Sequence, residues 1–221
     1  MSSLICTVDV VLLTLVQGRL HVALFRRERE PFLGAPALLG GYVHPEEDQD
    51  TLSAALRVLR DKAGLEGLYL EQLHTFSGPV RDARGWSLSV AYLALVSADV
   101  LSEQTRGNVS LADVSAVPRL PFDHNDIVQA AVARVRGKSL YSSLPAHLCP
   151  AVFTLPQLQQ VYEQVLGESV PKVSFRRKVG ELDMLEEVPE GEGPRAAHRP
   201  AQEYRLKPAF RQALALSPRP L

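Results

Sequence analysis

The sequence predicts an α+β protein built from two domains. Its first part alternates strand-like runs with helix-periodic runs, whereas the residues after Pro150 show a new pattern of two amphipathic helices and two short apolar runs. A length of 221 residues suits one large domain or two small ones. We therefore expect domains at residues 1–149 and 150–221, with the boundary in a loop-rich stretch.

The N-terminal part begins with a predicted β-hairpin. Residues 7–15 and 20–25 are rich in Leu and β-branched residues, and Gln17 and Gly18 provide the turn between them. The further elements predicted in this part are two strands and an amphipathic helix, at residues 69–76, 87–96 and 125–135.

Another helix is predicted to follow an acidic loop. Asp50 or Thr51 can cap its N-terminus, and Gly64 can end it. Apolar residues recur at helical spacing and define the face expected to be buried: Leu52, Ala55, Leu56 and Leu59. The other face is expected to carry Arg57, Arg60 and Asp61.

Charge and cysteine content exclude several classes of protein. A formal net charge of -1 argues against a uniformly basic nucleic-acid coat, so a DNA contact must come from a local cluster of Lys and Arg. Cys6 and Cys149 lie far apart in apolar segments, which favours free thiols in a reducing compartment. The apolar run at residues 10–13 is much shorter than the roughly 20 residues of a membrane span, so we expect a cytoplasmic protein without membrane contact.

The glycine pair, the acidic loop and the helix after it resemble the signature of the Nudix family. In that signature a Gly precedes an acidic loop and a helix of the pattern Arg-Glu-apolar-any-Glu-Glu-any-Gly-apolar. Residues 57–65 align with the helix, but Val58, Asp61 and Lys62 replace the three glutamates, and the loop after Gly41 is two residues too long. The resemblance implies an α/β/α sandwich with a mixed sheet.

The replaced glutamates change the expected chemistry. In active Nudix enzymes they hold divalent metal ions, which requires several hard oxygen ligands. Val58 offers no ligand and Lys62 would repel a cation, so we expect no catalytic residues, no metal site and no cofactor. An ammonium at Lys62 can contact a diphosphate directly, so binding can survive without hydrolysis. Alternatively, Lys62 and Asp61 only solvate the helix end.

Other segments resemble the ADP-ribose branch of the family: residues 26–27, 30–32, 76–85 and 89–92. The chain departs from that branch at residues 35–39, where the usual tryptophan and the proline directly before the glycine pair are missing. The resemblance implies ADP-ribose or a related nucleotide diphosphate as the ligand, bound by Arg26, Gly40, Gly41, Arg57, Lys62, Arg81 and Arg84. As alternatives, Arg81 and Arg84 form a solvated loop paired with Asp82, and Arg57 pairs with Asp61.

The C-terminal part has the outline of a winged helix-turn-helix. Helical periodicity over residues 155–165 stops at a glycine, and a second helix is expected at residues 172–182. Two short apolar runs at residues 184–188 and 203–206 then flank a loop rich in Pro and Gly, which is typical of a wing. The tail from residue 217 onwards is expected to be disordered.

The second helix carries the predicted DNA contacts. Phe175, Val179 and Leu182 define its buried side, which leaves basic side chains free to meet a groove. We expect Arg177 to contact base edges and its two neighbours to contact phosphates. The predicted DNA-binding set is Lys172, Ser174, Arg176, Arg177 and Lys178 on the helix and Arg195, His198 and Arg199 in the wing.

Residues 153–163 and 174–178 resemble the C-terminal domain of Nudix-related (NrtR-like) transcriptional regulators, and residues 122–124 and 138–141 add to the match. These regulators include repressors of NAD biosynthesis whose effector is ADP-ribose. The resemblance implies a transcriptional regulator, of the NAD-metabolism repressor type, that binds a double-stranded DNA operator. A homodimer on a palindromic site is expected, because it doubles the phosphate contacts.

Two rival functions stay open. The first is a Mg-dependent hydrolase that cleaves ADP-ribose or a nucleoside diphosphate, with Glu46, Glu47 and Asp61 as displaced metal ligands; Val58 argues against it. The second is a nucleotide-binding protein without DNA contact. It is favoured by the nearly neutral C-terminal domain, which has 10 Lys and Arg against 9 Asp and Glu from Pro150 onwards.

Overall fold

The computed structural model describes residues 4–104, 109–189, 201–217 and 221. The strands are β1 (Ile5–Val16), β2 (Arg19–Arg26), β3 (Pro36–Ala37), β4 (Leu39–Tyr42), β5 (Leu70–Gly78), β6 (Ser87–Leu95), β7 (Val109–Asp113), β8 (Phe153–Thr154), β9 (Leu185–Glu187) and β10 (Glu203–Leu206). The α-helices are α1 (Thr51–Val58), α2 (Ala98–Gln104), α3 (His124–Ser139), α4 (Leu155–Leu166) and α5 (Lys172–Leu182). No helix within these ranges is long and apolar enough to cross a membrane.

Strand β1 organises the mixed sheet of the N-terminal part. Its C-terminal half pairs antiparallel with β2, its N-terminal half pairs antiparallel with β4, and its other edge pairs parallel with β6. The sheet follows the order β3-β2-β1-β6-β5, with β7 added beside β2. The predicted hairpin and the two later strands are confirmed within one or two residues.

The two faces of the sheet form separate cores. Val8, Val10 and Leu12 of β1 pack on the face that α1 covers. Val11 and Leu13 point to the opposite face, which α3 covers. This alternation is the period of two expected for a strand that is buried on both sides. Helix, sheet and helix therefore form the predicted α/β/α sandwich, and the fold class is confirmed.

Asp50, one of the two predicted caps, caps helix α1, and two of the four residues predicted to be buried, Ala55 and Leu59, are buried. The Asp50 carboxylate accepts a hydrogen bond from the Ser53 amide at 2.7 Å, and the Ser53 hydroxyl accepts one from the Asp50 amide. Leu52 and Leu56, predicted to be buried, are 39% and 42% exposed. The buried residues are Ala54, Ala55, Val58 and Leu59. The small alanine side chains allow this face to lie closest to the sheet.

The end of this helix widens into a π-helical turn, Leu59–Ala63, that stops at Gly64. Gly64 has φ of +70°, a left-handed conformation that favours glycine. The turn places Asp61 and Lys62 on the side of the sheet where β4 lies, since both residues line the same cleft as Gly40 and Gly41.

The C-terminal part is a winged helix-turn-helix. Helix α4 starts with a capping box of Thr154 and Gln157 and ends at Gly167. Helix α5 has the predicted bounds. The antiparallel sheet β8-β10-β9 completes the domain, whose core includes Phe153 and Tyr162.

Two residues of the C-terminal tail, Ser217 and Leu221, form backbone hydrogen bonds. The Ser217 amide donates to the Tyr141 carbonyl at 2.7 Å, and the Leu221 amide donates to the Leu140 carbonyl at 2.9 Å. Residues 218–220 lie outside the described residues. Both cysteines are free, and Cys149 is buried, which raises the pKa of its thiol to about 12.

Candidate functional site

A cleft of about 630 Å³ opens where β4 meets α1 on one side and α3 on the other. All seven residues predicted to bind the ligand line it: Arg26, Gly40, Gly41, Arg57, Lys62, Arg81 and Arg84. They come from β2, β4, α1 with its π-helical turn, and the loop between β5 and β6. The fold thus brings these distant residues to one place, although each role in binding stays a prediction.

The glycine pair is required by close packing on both faces of β4. Gly40 lies opposite Asp9 of β1, and a Cβ added at Gly40 would overlap the Asp9 carboxylate. Gly41 faces the other way, where an added Cβ would lie 2.8 Å from a methyl group of Val58. Both positions therefore exclude a side chain, and the backbone of β4 stays open to the cleft.

A buried polar network lies beneath Gly40, and sequence reasoning missed its centre, Asp9. Asp9 is 5% exposed and accepts a hydrogen bond from the Ser89 hydroxyl at 2.6 Å. The Nδ1 atom of His124 accepts from the Leu38 amide, so its Nε2 atom carries the proton and lies 3.5 Å from Asp9. Burial lowers the pKa of His124. The available signal was that Asp9 is the one charged residue in β1.

Arg81 completes this network instead of standing free in the cleft. Its guanidinium donates two hydrogen bonds to Asp123 at 2.9 and 2.8 Å and lies 3.7 Å from Asp9. The Arg81 side chain is 7% exposed. The alternative of a solvated Arg81 paired with Asp82 is therefore wrong, because Asp123, 42 positions later, is its partner. The sequence carried no local signal for this pair.

Arg84 follows the predicted alternative more closely. It makes a two-pronged contact with Asp82, and its Nη1 atom donates to the Tyr42 hydroxyl at 2.5 Å. The hydrogen bonds from Arg84 lower the pKa of Asp82. The side chain remains 37% exposed at the cleft, so the pairing leaves it accessible to a ligand.

Arg57 pairs with Asp48 and not with Asp61, so that part of the prediction is wrong. Its Nε and Nη2 atoms each lie 2.7 Å from an Asp48 oxygen, and Nη2 also donates to the Tyr42 carbonyl. These hydrogen bonds lower the pKa of Asp48 to about 2. The Asp61 carboxylate instead pairs with the Nε atom of its neighbour Arg60 at 2.9 Å.

The residues of the cleft do not fit a magnesium ion. Val58 is 1% exposed and presents only methyl groups. The Lys62 ammonium donates to the Gly40 carbonyl at 2.5 Å, so a positive charge occupies this wall of the cleft. Within the ranges that the structure describes, no three His, Cys, Asp or Glu side chains converge as a metal site would require.

Further cations and aromatic rings line the rim. Burial lowers the pKa of the Lys62 ammonium. The Glu28 carboxylate opposes this shift, and the charges of Arg29 and Arg27 add to it. Burial and the nearby Arg84 likewise lower the pKa of Arg27. Arg27 also lies 4.9 Å from the ring centre of Phe122. Cations that repel one another across a cleft indicate a place for an anion.

In the C-terminal domain, α5 exposes most of its predicted DNA contacts. Lys172, Arg176 and Arg177 are exposed, Ser174 is half-buried, and Arg177 lies 3.8 Å from Glu181. The three predicted wing contacts, Arg195, His198 and Arg199, lie outside the described residues.

Lys178 contradicts the prediction that it contacts phosphates. It is 2% exposed, and its ammonium donates to the Leu140 carbonyl at the end of α3. The ring of Tyr162 lies 5.9 Å away. Lys178 is one turn from Phe175 and Leu182 and so shares their buried side. The sequence prediction placed Lys178 on the exposed side because its side chain is charged.

Comparisons with known proteins support both halves of this description. Residues 145–206 match the model of the NrtR DNA-binding winged helix domain. The chain is 38% identical over 205 residues to a protein of Acinetobacter baylyi named ADPR responsive transcriptional repressor NtrR, covering 90% of this chain and 81% of the relative.

Two solved structures are also similar. Shewanella oneidensis NrtR in complex with a 27mer DNA is 36% identical with a TM-score of 0.85, covering 98% of this chain and 99% of that one. The Nudix domain of the same protein in complex with ADP ribose is 34% identical with a TM-score of 0.53, covering 61% and 90%. The chain therefore belongs to the NrtR family, in which a Nudix domain precedes a DNA-binding winged helix domain.

Proposed function

We propose that this protein is a cytoplasmic transcriptional repressor whose Nudix domain binds ADP-ribose, or a closely related nucleotide diphosphate, without hydrolysing it. The proposal rests on two features that occur in one chain. The first is a cationic cleft in which Val58 and Lys62 stand where the Nudix signature has metal-binding glutamates, and the second is an exposed basic helix. The relative named ADPR responsive repressor and the solved complexes with DNA and ADP ribose support it.

The cleft has the charge that a diphosphate requires. Arg84 lies close enough to Arg27 to lower its pKa, and Arg27 lies close enough to Lys62 to do the same, so a doubly negative group in the cleft would relieve the repulsion around Arg27. Hydrolysis would need metal-held water, and Lys62 puts an ammonium in the cleft at a position where the Nudix signature has a glutamate. The cleft therefore keeps affinity for the ligand and lacks the means to activate water.

Helix α5 provides the DNA contact. Its first turn has no side-chain cap, so its free amides and Lys172 favour a phosphate. Arg176 and Arg177 project from the exposed side of the same helix. We expect two protomers to bind a palindromic operator, because a single basic helix supplies few phosphate contacts.

A gel-shift experiment with DNA from upstream of the gene, with and without ADP-ribose, tests the proposal. We expect a salt-sensitive complex whose affinity changes with ADP-ribose. Arg177→Ala should weaken the complex by about 5-fold to 150-fold if the side chain reads a base. Arg119→Ala, which removes an exposed arginine of the N-terminal domain, should change it by less than about 2-fold.

Two results would reject this function. If no salt-sensitive complex forms on any upstream fragment, the protein is not a DNA-binding regulator. If magnesium with ADP-ribose yields AMP at an enzymatic rate, the cleft is an active site and the rival hydrolase is correct.

A further inference from the structure

Helix α3 joins the cleft to the DNA-binding domain. Its first residues, Asp123 and His124, hold Arg81 and the Leu38 amide in the wall of the cleft. Its 16 residues span about 24 Å at 1.5 Å per residue. Leu140 follows its last turn, and the Leu140 carbonyl accepts hydrogen bonds from the Lys178 ammonium of α5 and from the Leu221 amide.

The far end of α3 is held to the sheet by a cluster of charged side chains around Glu71 of β5. The Glu71 side chain is 9% exposed and accepts hydrogen bonds from Lys138, Arg134 and the Tyr69 hydroxyl at 2.5, 3.1 and 2.6 Å. This attachment lies close to Leu140, whereas the cleft lies at the opposite end of the helix. A shift at the cleft end can therefore tilt α3 about the Glu71 attachment and redirect the Leu140 carbonyl.

Lys178 is an unusual residue for its position. The core sites around it hold Phe175, Leu182 and Tyr162, and an apolar side chain would serve packing better, since a buried charge is costly. Its ammonium instead lies at the negative end of the α3 dipole, with the Leu140 carbonyl as acceptor. A hydrogen bond depends on direction, whereas apolar packing does not, so Lys178 makes α5 sensitive to the orientation of α3.

We propose that Lys178 is a positioning residue that couples the cleft to the DNA-binding helix, by fixing the orientation of α5 to the C-terminal end of α3. Ligand bound near Asp123 changes the preferred orientation of α3. The Lys178 hydrogen bond then changes the orientation of α5, and with it the positions of Arg176 and Arg177 on its exposed side. This rests on the proposed function, because it names the contact through which ADP-ribose alters operator affinity.

The test measures a coupling ratio, the operator Kd with saturating ADP-ribose divided by the Kd without it. Lys178→Met keeps the length of the side chain and removes the donor, whereas Lys178→Gln keeps a donor without the charge. Lys207→Met, at an exposed ion pair with Asp183, removes the same charge from the same domain. Calorimetric ADP-ribose affinity and the melting temperature report whether each variant is folded.

We expect a wild-type ratio that differs from one by about 5-fold to 150-fold. Lys178→Met should bring the ratio close to one while ADP-ribose affinity stays within about 3-fold, Lys178→Gln should retain part of the coupling, and Lys207→Met should retain all of it. A Lys178→Met protein that binds ligand and keeps the wild-type ratio would overturn the inference. So would a parallel loss of operator affinity in both states, since that indicates a structural role alone.

Hydrogen exchange on the unmodified protein gives a second test that needs no variant to fold. ADP-ribose should change the protection of α5 amides as well as those at the cleft. If protection changes at the cleft and not in α5, Lys178 does not transmit the signal, although the proposed function can still hold. If the wild-type operator affinity ignores ADP-ribose altogether, the proposed function and this inference both fail.

Discussion

At the scale of single residues, the shape of the cleft depends on a position that has no side chain. Gly40 has no side chain because the Asp9 carboxylate fills the space opposite it. Asp9 in turn is buried only because Ser89, His124 and Arg81 surround it with polar partners. One methyl group at Gly40 would therefore disturb a network, not a single contact.

Gly40→Ala should destabilise the protein by about 1–3 kcal/mol, because the added methyl group overlaps the Asp9 carboxylate, which its polar partners hold in place, and lies 3.0 Å from the Val8 carbonyl oxygen. The free energy of unfolding in urea measures this. Gly137→Ala in α3 is the matched control, since nothing lies within 4 Å of its Cβ position. It should be neutral or stabilise by up to about 1 kcal/mol through helix propensity. Equal effects of the two changes would show that the packing at Gly40 is not tight.

Lys178→Met should be more stable than the wild type near pH 7, and this difference in stability should become smaller at higher pH. Burial lowers the pKa of Lys178 to about 8, and the Glu181 carboxylate opposes part of the shift. The folded state thus binds fewer protons than the unfolded state above pH 8, and the cost of the buried charge is relieved between pH 8 and the ordinary lysine pKa of 10.5.

The check is the difference in melting temperature between wild type and Lys178→Met at pH 7 and pH 9. The neighbouring Tyr162 does not titrate in this window, because burial raises the pKa of its hydroxyl well above it. A difference that stays constant with pH would mean that the Lys178 ammonium is solvated.

At the scale of elements, α1 is a carrier for the cleft residues. Its N-terminal cap sets where the helix starts, and therefore where Arg57 meets Asp48 and where the π-helical turn places Lys62. The capping box of Asp50 and Ser53 satisfies amides that the helix leaves unpaired.

Asp50→Ala should lower the free energy of unfolding, because the Ser53 amide in the first turn of α1 loses its acceptor. It should also weaken ADP-ribose binding, since Arg57 and Lys62 lie on the same helix and its extension. Asp50→Asn keeps an acceptor oxygen and should stay close to wild type in chemical denaturation. If the asparagine variant loses as much as the alanine variant, the charge of Asp50 matters more than its cap.

At the scale of the whole molecule, the chain offers a small basic surface although its net charge is close to zero. Lys172, Arg176 and Arg177 are the exposed cations of α5. Three cations give one chain only weak binding to DNA. We therefore expect high affinity to require two copies of the chain, each bound to one half-site.

Operator affinity should therefore fall with salt with a slope of at least about 5 in log–log terms, which is about 0.9 for each of six phosphate contacts in a dimer. Scrambling one half-site should roughly halve this slope and weaken binding strongly. Fluorescence anisotropy between about 50 and 200 mM salt measures both quantities. A slope near 2–3 that does not change when the second half-site is scrambled would indicate that a monomer binds the DNA.

The sequence by itself determined the features that depend on neighbouring residues. The bounds of α5, the first hairpin, the Asp50 cap and the loss of glutamates at Val58 and Lys62 could all be predicted. Periodicity and capping act within a few positions, so a single chain carries enough information to predict them.

Only the tertiary structure decided which polar groups meet across long stretches of chain. Asp9 with Gly40, Arg81 with Asp123, Arg57 with Asp48 and Lys178 with Leu140 are separated by 9 to 42 positions, and the lysine was predicted to face the opposite way. A charge is an ambiguous signal in a sequence, because it lies in water or in a core according to whether the folded chain brings a partner to it.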